Sequence, residues 1–152
     1  SKGEAEKATE YLEELGKEVI TGTVTSTNDI SQVMSNLVKE VDAIFTVTDN
    51  TIASAMPLVG DLAKEAGLPV VGGSKDMIVE NGLATYGLDY YELGKQTAQM
   101  LLRQIEGNLD TATIPVESAA ILELVVNKDY AEAIGIDPTT IQAPGAKDDT
   151  KE

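Results

Sequence analysis

Short apolar runs alternate with longer amphipathic stretches along this chain. The apolar runs are rich in β-branched residues, and they predict strands at residues 18–24, 43–47, 69–71, 83–86 and 121–126. The stretches between them carry apolar residues at helical spacing, and they predict helices at residues 3–15, 30–38, 52–66, 75–80 and 90–106, with a short one around Ala131. Strands that alternate with helices across short loops indicate an α/β domain with a doubly wound parallel sheet.

The stretch at residues 41–56 (VDAIFTVTDNTIASAM) has the clearest organisation. Residues 43–47 have the composition of a strand that is buried on both faces, so we expect this strand to lie inside the sheet. Asp49 and Asn50 follow at once, and a helical pattern begins two residues later. Ligands of open parallel sheets bind outside the carboxyl ends of the strands, which is where this turn is expected.

Polar side chains directly follow four of the predicted strands. They are Thr27, Asn28 and Asp29, Asp49 and Asn50, Ser74 with Asp76, and Asp89. We use the name rim for six of them: Thr27, Asn28, Asp49, Asn50, Ser74 and Asp89. Because parallel strands end at one edge of a sheet, we expect the rim to border a ligand site. The plainer alternative is that these side chains only cap the helices that they precede, and we expect this of part of the rim. Carboxylates and amides at helix starts suit the ammonium group of a ligand better than a phosphate.

Composition excludes several classes of function. The 152 residues carry a formal charge of −15, a surface that repels nucleic acid and anionic lipid, so we exclude both as partners. No apolar run approaches the roughly 20 residues that a membrane-spanning helix needs. The chain has no Cys, His or Trp, and Arg103 is its only arginine. It therefore lacks thiol and imidazole nucleophiles, zinc ligands of the usual type and arginine clamps, and we predict no catalytic residue, no cofactor and no metal.

Two features are unusual for a complete α/β domain. The first predicted element is a helix, although βα units begin with a strand, and the chain starts at Ser1, so we interpret it as a piece of a longer protein. The helix at 90–106 also has a broad apolar face that needs a partner. Its predicted buried side consists of Leu93, Thr97, Met100, Leu101 and Ile105. If the partner is missing, we expect a marginally stable monomer or self-association through this helix.

Five segments stand here in an order and spacing that resemble a known family. They are TVTSTNDI, VDAIFTVTDNTIASAM, LPVVGG, NGLATYGLDYYELGKQTAQMLL and LELVVN. Together they resemble the C-terminal lobe of the substrate-binding proteins of ABC importers, which have the type I periplasmic-binding-protein fold. The most similar subfamily is the one associated with aromatic amino-acid ligands. The resemblance covers residues 1–136, and the pair TDNTIASA and LATYGLDYYELG is its most specific part.

The resemblance implies a two-lobed protein that captures a small ligand, an amino acid of aromatic type, and delivers it to an ABC permease. It implies an N-terminal lobe that this chain lacks, and a periplasmic or cell-surface lipoprotein location. The lobe then spans residues 1–142, with a hinge crossing near 87–90, and the polar residues 143–152 form a disordered tail. Carried over by position, Asp49 and Asn50 face the ligand and the other rim residues lie nearby. The ligand's ammonium group then suits Asp49 or Asp89.

Two other readings compete with a transport protein. The effector-binding core of a transcription regulator uses the same fold, but no helix-turn-helix segment is present in this sequence. A small doubly wound enzyme could hold Mg²⁺ on Asp29, Asp49 and Asp89. No phosphate-binding loop of the GxxxxGK[ST] type accompanies these carboxylates, and a Gly-Gly pair alone is a weak signal.

Overall fold

The computed structural model describes residues 1–143, and it has one sheet with helices around it. The α-helices are α1 (Lys2–Glu14), α2 (Thr27–Leu37), α3 (Asn50–Ala53), α4 (Met56–Glu65), α5 (Lys75–Asn81), α6 (Tyr90–Gly107) and α7 (Lys128–Ala133). The strands are β1 (Ile44–Thr46), β2 (Val70–Gly72), β3 (Ala84–Leu88) and β4 (Leu122–Val126). Two short 3-10 helices lie at Thr111–Thr113 and Pro138–Thr140. The predicted tail lies outside the described residues, apart from Ala143.

The four strands form one mixed sheet in the order β1-β2-β3-β4. β1, β2 and β3 run parallel, as predicted, but β4 runs antiparallel to β3, with Leu88 opposite Leu122. The prediction of a wholly parallel sheet is therefore wrong at this edge. The chain returns from α6 to the carboxyl end of β3 and enters the sheet there, so β4 has to run in the opposite direction.

Within the described residues, one apolar core lies between the sheet and its helices. Met56, Ala63 and Val70 are fully buried in it. Tyr130 on α7 is 2% exposed, and its hydroxyl group donates a hydrogen bond of 3.0 Å to the carbonyl oxygen of Leu68. This bond satisfies a polar atom that would otherwise be buried alone, so α7 closes the core on the side that leads into β2.

The segment 18–24 is not a strand, which contradicts its prediction. Within the described residues, its backbone makes no hydrogen bond to any neighbouring strand or helix. Its β-branched composition is that of a strand. However, β propensity reflects packing against neighbouring strands, and no described strand lies beside this segment. Gly22 lies against the side chains of Val33 and Leu37, so the segment packs on α2 instead.

β1 is an edge strand, and this corrects the prediction that residues 43–47 lie inside the sheet. β1 pairs with β2 only, and the side chain of Phe45 is 42% exposed. In a parallel pair, alternate residues direct their N–H and C=O groups to the same neighbour. Ile44 and Thr46 bond to β2, which leaves the polar groups of Phe45 at the open edge.

The structure divides one predicted helix and leaves a face of another uncovered. The helix predicted at 52–66 is divided into α3 and α4, because Pro57 lies at the start of α4 and has no N–H to continue the hydrogen-bond ladder of α3. α6 has no buried residue within the described part of the chain, so the side predicted to be buried is not covered, as expected if the partner of this helix is missing. Leu101 is 55% exposed, because no other described element covers that face of the helix. None of the described helices combines the length and hydropathy needed to cross a bilayer.

Candidate functional site

The carboxyl ends of β1, β2 and β3 lie side by side and carry most of the rim. The N–H of Gly73, just after β2, donates to the carbonyl oxygen of Thr46 at 3.0 Å. Ser74 in turn pairs with Leu88 at the end of β3 through an isolated parallel bridge. The turn after β2 is therefore bonded to both neighbouring strand ends, and the side chains that follow the three strands share one edge of the sheet.

Asp49 begins α3 and is half-buried. Its Oδ1 accepts hydrogen bonds from the N–H groups of Thr51 at 2.9 Å and Ile52 at 3.4 Å. These bonds lower the pKa of Asp49 below its ordinary value, and the Ser1 hydroxyl adds a smaller effect in the same direction. Asp49 is thus an ionised helix cap, and Asn50 is an exposed residue in the first turn of the same helix.

Asp89 begins α6, and both of its carboxylate oxygens have partners. Oδ1 accepts from the N–H groups of Tyr91 at 2.8 Å and Glu92 at 3.2 Å. Oδ2 accepts from Nζ of Lys75 at 3.1 Å, and the same Nζ donates to Glu123 of β4 at 3.1 Å. The bond from Lys75 is the largest cause of the lowered pKa of Asp89. Lys75, the first residue of α5, therefore bridges the start of α6 and strand β4.

The other three rim residues have different surroundings. Ser74 is 3% exposed and makes no side-chain cap bond to α5, so it is part of the packed floor of the edge. Thr27 and Asn28 are exposed in the first turn of α2, where Asp29 accepts from the backbone N–H of Ser26 at 3.0 Å. Within residues 1–143, no hydrogen bond links Thr27 or Asn28 to the rest of the rim.

Glu4 reaches this edge from α1 and was not recognised in the sequence. Its Oε2 accepts the backbone N–H of Thr48 at 2.9 Å, and its Oε1 accepts the Thr48 hydroxyl at 3.3 Å. An acidic residue in the first turn of a helix is normally explained by the helix dipole. The presence of a glutamate at position 4 therefore gave no reason to expect a contact with this edge. Lys75 was also missed, although a lysine that begins the helix after a predicted strand, next to Asp76, was a usable clue.

The carboxylates of the edge are spread over separate helix starts. Asp29, Asp49 and Asp89 stand at the beginnings of α2, α3 and α6. In the part of the chain that the structure describes, no three acidic side chains come close enough to hold a metal ion. This arrangement gives no support to the Mg²⁺ enzyme considered from the sequence. What the edge presents is ionised single carboxylates, hydroxyls and backbone groups, which suits recognition of a small polar molecule.

Comparison with known proteins places the chain in a family. The family model described as ABC transporter substrate binding protein matches residues 1–142, so the chain belongs to this family. A curated relative, the tyrosine-binding protein of Clostridioides difficile (strain R20291), is 28% identical over 134 residues. That match covers 88% of this chain and 39% of the relative.

Two solved structures have the same fold as this chain. One is an ABC domain in complex with L-Trp from Streptococcus pneumoniae, with a TM-score of 0.79 and 32% identity, covering 90% of this chain and 46% of that one. The other is the ligand-free, open structure of a substrate-binding protein with adhesive properties from Clostridium difficile, with a TM-score of 0.73 and 29% identity, covering 90% and 46%. The chain therefore spans less than half the length of these relatives, and it has the fold of one lobe, as the sequence resemblance implied.

Proposed function

We propose that this chain is one lobe of the solute-binding component of an ABC importer, which captures an amino acid between two lobes and delivers it to a permease. Membership of the substrate-binding family over residues 1–142 carries the proposal. The ligand class follows from the relatives, one described as tyrosine-binding and another solved with L-Trp. We place the protein outside the cytoplasm, in the periplasm or on the cell surface as a lipoprotein, and we assign it binding and no catalysis.

Within this proposal, Asp49 is the better of the two candidate partners for the ligand's ammonium group. Both oxygens of Asp89 already accept hydrogen bonds, one of them from the charged Nζ of Lys75. Both cap bonds of Asp49 converge on Oδ1, so Oδ2 is the oxygen with capacity for a further donor. Asn50 stands beside it, exposed, and Ser74 supports the floor. Thr27 and Asn28 are assigned to the outer wall of the same cleft.

The second lobe completes the cleft in this proposal, and α6 is the element that contacts it. Tyr91, Leu101, Leu102 and Ile105 are all exposed on α6, which has no buried residue. An apolar helix face of this length is normally covered in a soluble protein. The crossing between lobes is assigned to residues 87–90, next to the bond between Lys75 and Asp89.

The proposal is tested on the two-lobed protein by comparing Asp49→Asn with Asp76→Asn. Asp76 is an exposed residue in the first turn of α5, so it is a matched acidic control on the same edge. We expect wild type to bind L-tyrosine or L-tryptophan in calorimetric titrations. Loss of a charge-assisted bond to the ligand in a closed cleft should weaken the affinity of Asp49→Asn about ten- to a hundredfold.

We expect the affinity of Asp76→Asn to stay within about twofold of wild type, since a solvent-exposed first-turn acid acts mainly on local helix stability. Equal and small losses in both variants would mean that Asp49 is only a helix cap. Absence of binding of any amino acid to the two-lobed wild-type protein would refute the proposed ligand class itself.

A further inference from the structure

Glu4 stands at the place where the hydrogen-bond ladder between β1 and β2 ends. Gly73 N–H donates to Thr46 C=O as the last bond of the ladder between these two strands. The N–H of Thr48 would be the next donor on that side, because alternate residues of a parallel strand face the same neighbour. It donates to Oε2 of Glu4 instead, at 2.9 Å. The carboxylate therefore takes the position that a further residue of β2 would occupy.

The backbone after β2 is shaped around this carboxylate. A Cβ atom on Gly73 would lie 2.6 Å from Oε1 of Glu4 and would also collide with Oγ1 of Thr48. Only a glycine lets the chain pass this close and turn toward β3, where Ser74 pairs with Leu88. Glu4, Thr48 and Gly73 thus form one packed contact between α1, the end of β1 and the end of β2.

The contact also fixes α1, which has no buried residue to hold it. The start of α1 is tied to this edge by the two hydrogen bonds that Thr48 donates to Glu4 in its first turn. Thr48 immediately precedes the carboxylate that we assign to the ligand's ammonium group. A bond that fixes the Thr48 backbone therefore fixes the start of α3 and the direction of the Asp49 side chain.

We propose that Glu4 is a positioning residue of the ligand site, which holds the turn at residues 48–50 in its binding geometry through Thr48. This inference rests on the proposed function for its effect on affinity, but the positioning itself is a property of this lobe. The two oxygens of Glu4 accept one backbone and one side-chain donor. Glutamine can keep both contacts, accepting from the N–H with its oxygen and donating to the hydroxyl with its nitrogen. Alanine keeps neither.

The experiment uses the two-lobed protein with Glu4→Ala, Glu4→Gln and Glu10→Ala. Glu10 is exposed on the same helix and its side chain makes no hydrogen bond or ion pair within residues 1–143, so it controls for loss of a charge from α1. Calorimetric titration with L-tyrosine and with L-tryptophan measures affinity, and amide resonances of residues 48–50 and 73 report the geometry without ligand. We expect Glu4→Ala to shift these resonances and to weaken binding about tenfold, with Glu4→Gln and Glu10→Ala within about twofold of wild type.

Different outcomes separate this inference from the proposed function. Unchanged resonances at residues 48–50 in Glu4→Ala would overturn the positioning role. A loss in Glu4→Gln as large as in Glu4→Ala would also overturn it, in favour of direct contact between the Glu4 charge and the ligand. If wild type binds neither amino acid while Glu4→Ala still shifts the resonances, the proposed ligand class fails and the positioning role stands. Thr48→Val, which removes only the hydroxyl contact, should give a smaller shift than Glu4→Ala.

Discussion

Two parts of this lobe are held together in different ways. The sheet half, from β1 through β3 with α2, α4, α5 and α7, contains the buried apolar residues. The second part, residues 90–121, consists of α6 and the segment that leads into β4, and we call it the arm. The arm is held by polar contacts, among them Arg103 to Glu117 at 2.6 Å and Gln96 to the backbone of Ser118 and Ala120 at 2.9 Å each.

The difference explains which part should be stable alone. Burial of apolar side chains supplies most of the folding free energy, whereas single exposed ion pairs contribute about 0–1 kcal/mol. An isolated helix of the length of α6 is marginal in water without a packed face. We therefore expect amide hydrogen exchange in the arm to be much faster than in β2 and β3. The arm should exchange by opening locally while the sheet half stays folded.

The largest contrast is expected from truncating one large side chain in each part. Met56 is 0% exposed, and Met56→Ala should lower the free energy of unfolding by about 2–5 kcal/mol, because it leaves a cavity in the core. Ile105 is 66% exposed, and Ile105→Ala should change the free energy of unfolding by less than about 0.5 kcal/mol. Urea unfolding followed by circular dichroism measures both. Similar losses in the two variants would mean that the arm is packed in solution, either on the lobe or on a second molecule.

Alanine substitution of two helical glycines should change the stability of the two parts in opposite directions. A Cβ on Gly60 of α4 would meet the backbone carbonyl of Asn81 and lie 2.6 Å from its Cβ, so Gly60→Ala should destabilise the lobe by about 1–3 kcal/mol. Nothing lies within 4 Å of the corresponding atom on Gly94 of α6. Gly94→Ala should therefore stabilise the helix by roughly 0.5–1 kcal/mol. The same urea unfolding experiment measures both variants, and a destabilising Gly94→Ala would contradict an open arm.

The last contrast is a pH dependence that originates in the core and appears only at high pH. Burial raises the pKa of Tyr130 to about 12 from 10.0. A group whose pKa is raised on folding stabilises the protein fully below its unfolded pKa, so this contribution is present below pH 10 and is lost as the pH rises through about 12. Absorbance titration of the tyrosines should show one late step that Tyr130→Phe removes. A late step that persists in Tyr130→Phe would assign it to another tyrosine.

Much of the local structure follows from local sequence. Asp49, Asp89 and Asn127 each precede a helix and each accept its first N–H groups, which is the behaviour expected of Asp and Asn after a strand. Alternation of apolar runs with amphipathic stretches was enough for the three parallel strands and for the presence of helices between them, but not for the division of residues 52–66 into α3 and α4. The family resemblance, carried by whole motifs, correctly indicated the ABC transporter substrate binding protein family.

Other features depend on which segments become neighbours. Segment 18–24 has strand composition but no strand beside it, and residues 43–47 look doubly buried but form an edge, because a ladder needs a second strand that local sequence cannot provide. The contact of Glu4 with Thr48 joins residues 44 positions apart, and Lys75 bonds to Glu123 across 48. Propensity and periodicity act over a few residues, so they predict most helices and strands and the side chains that cap the helices. The partners of these elements follow from the folded chain, because hydrogen bonds and burial depend on distance in space.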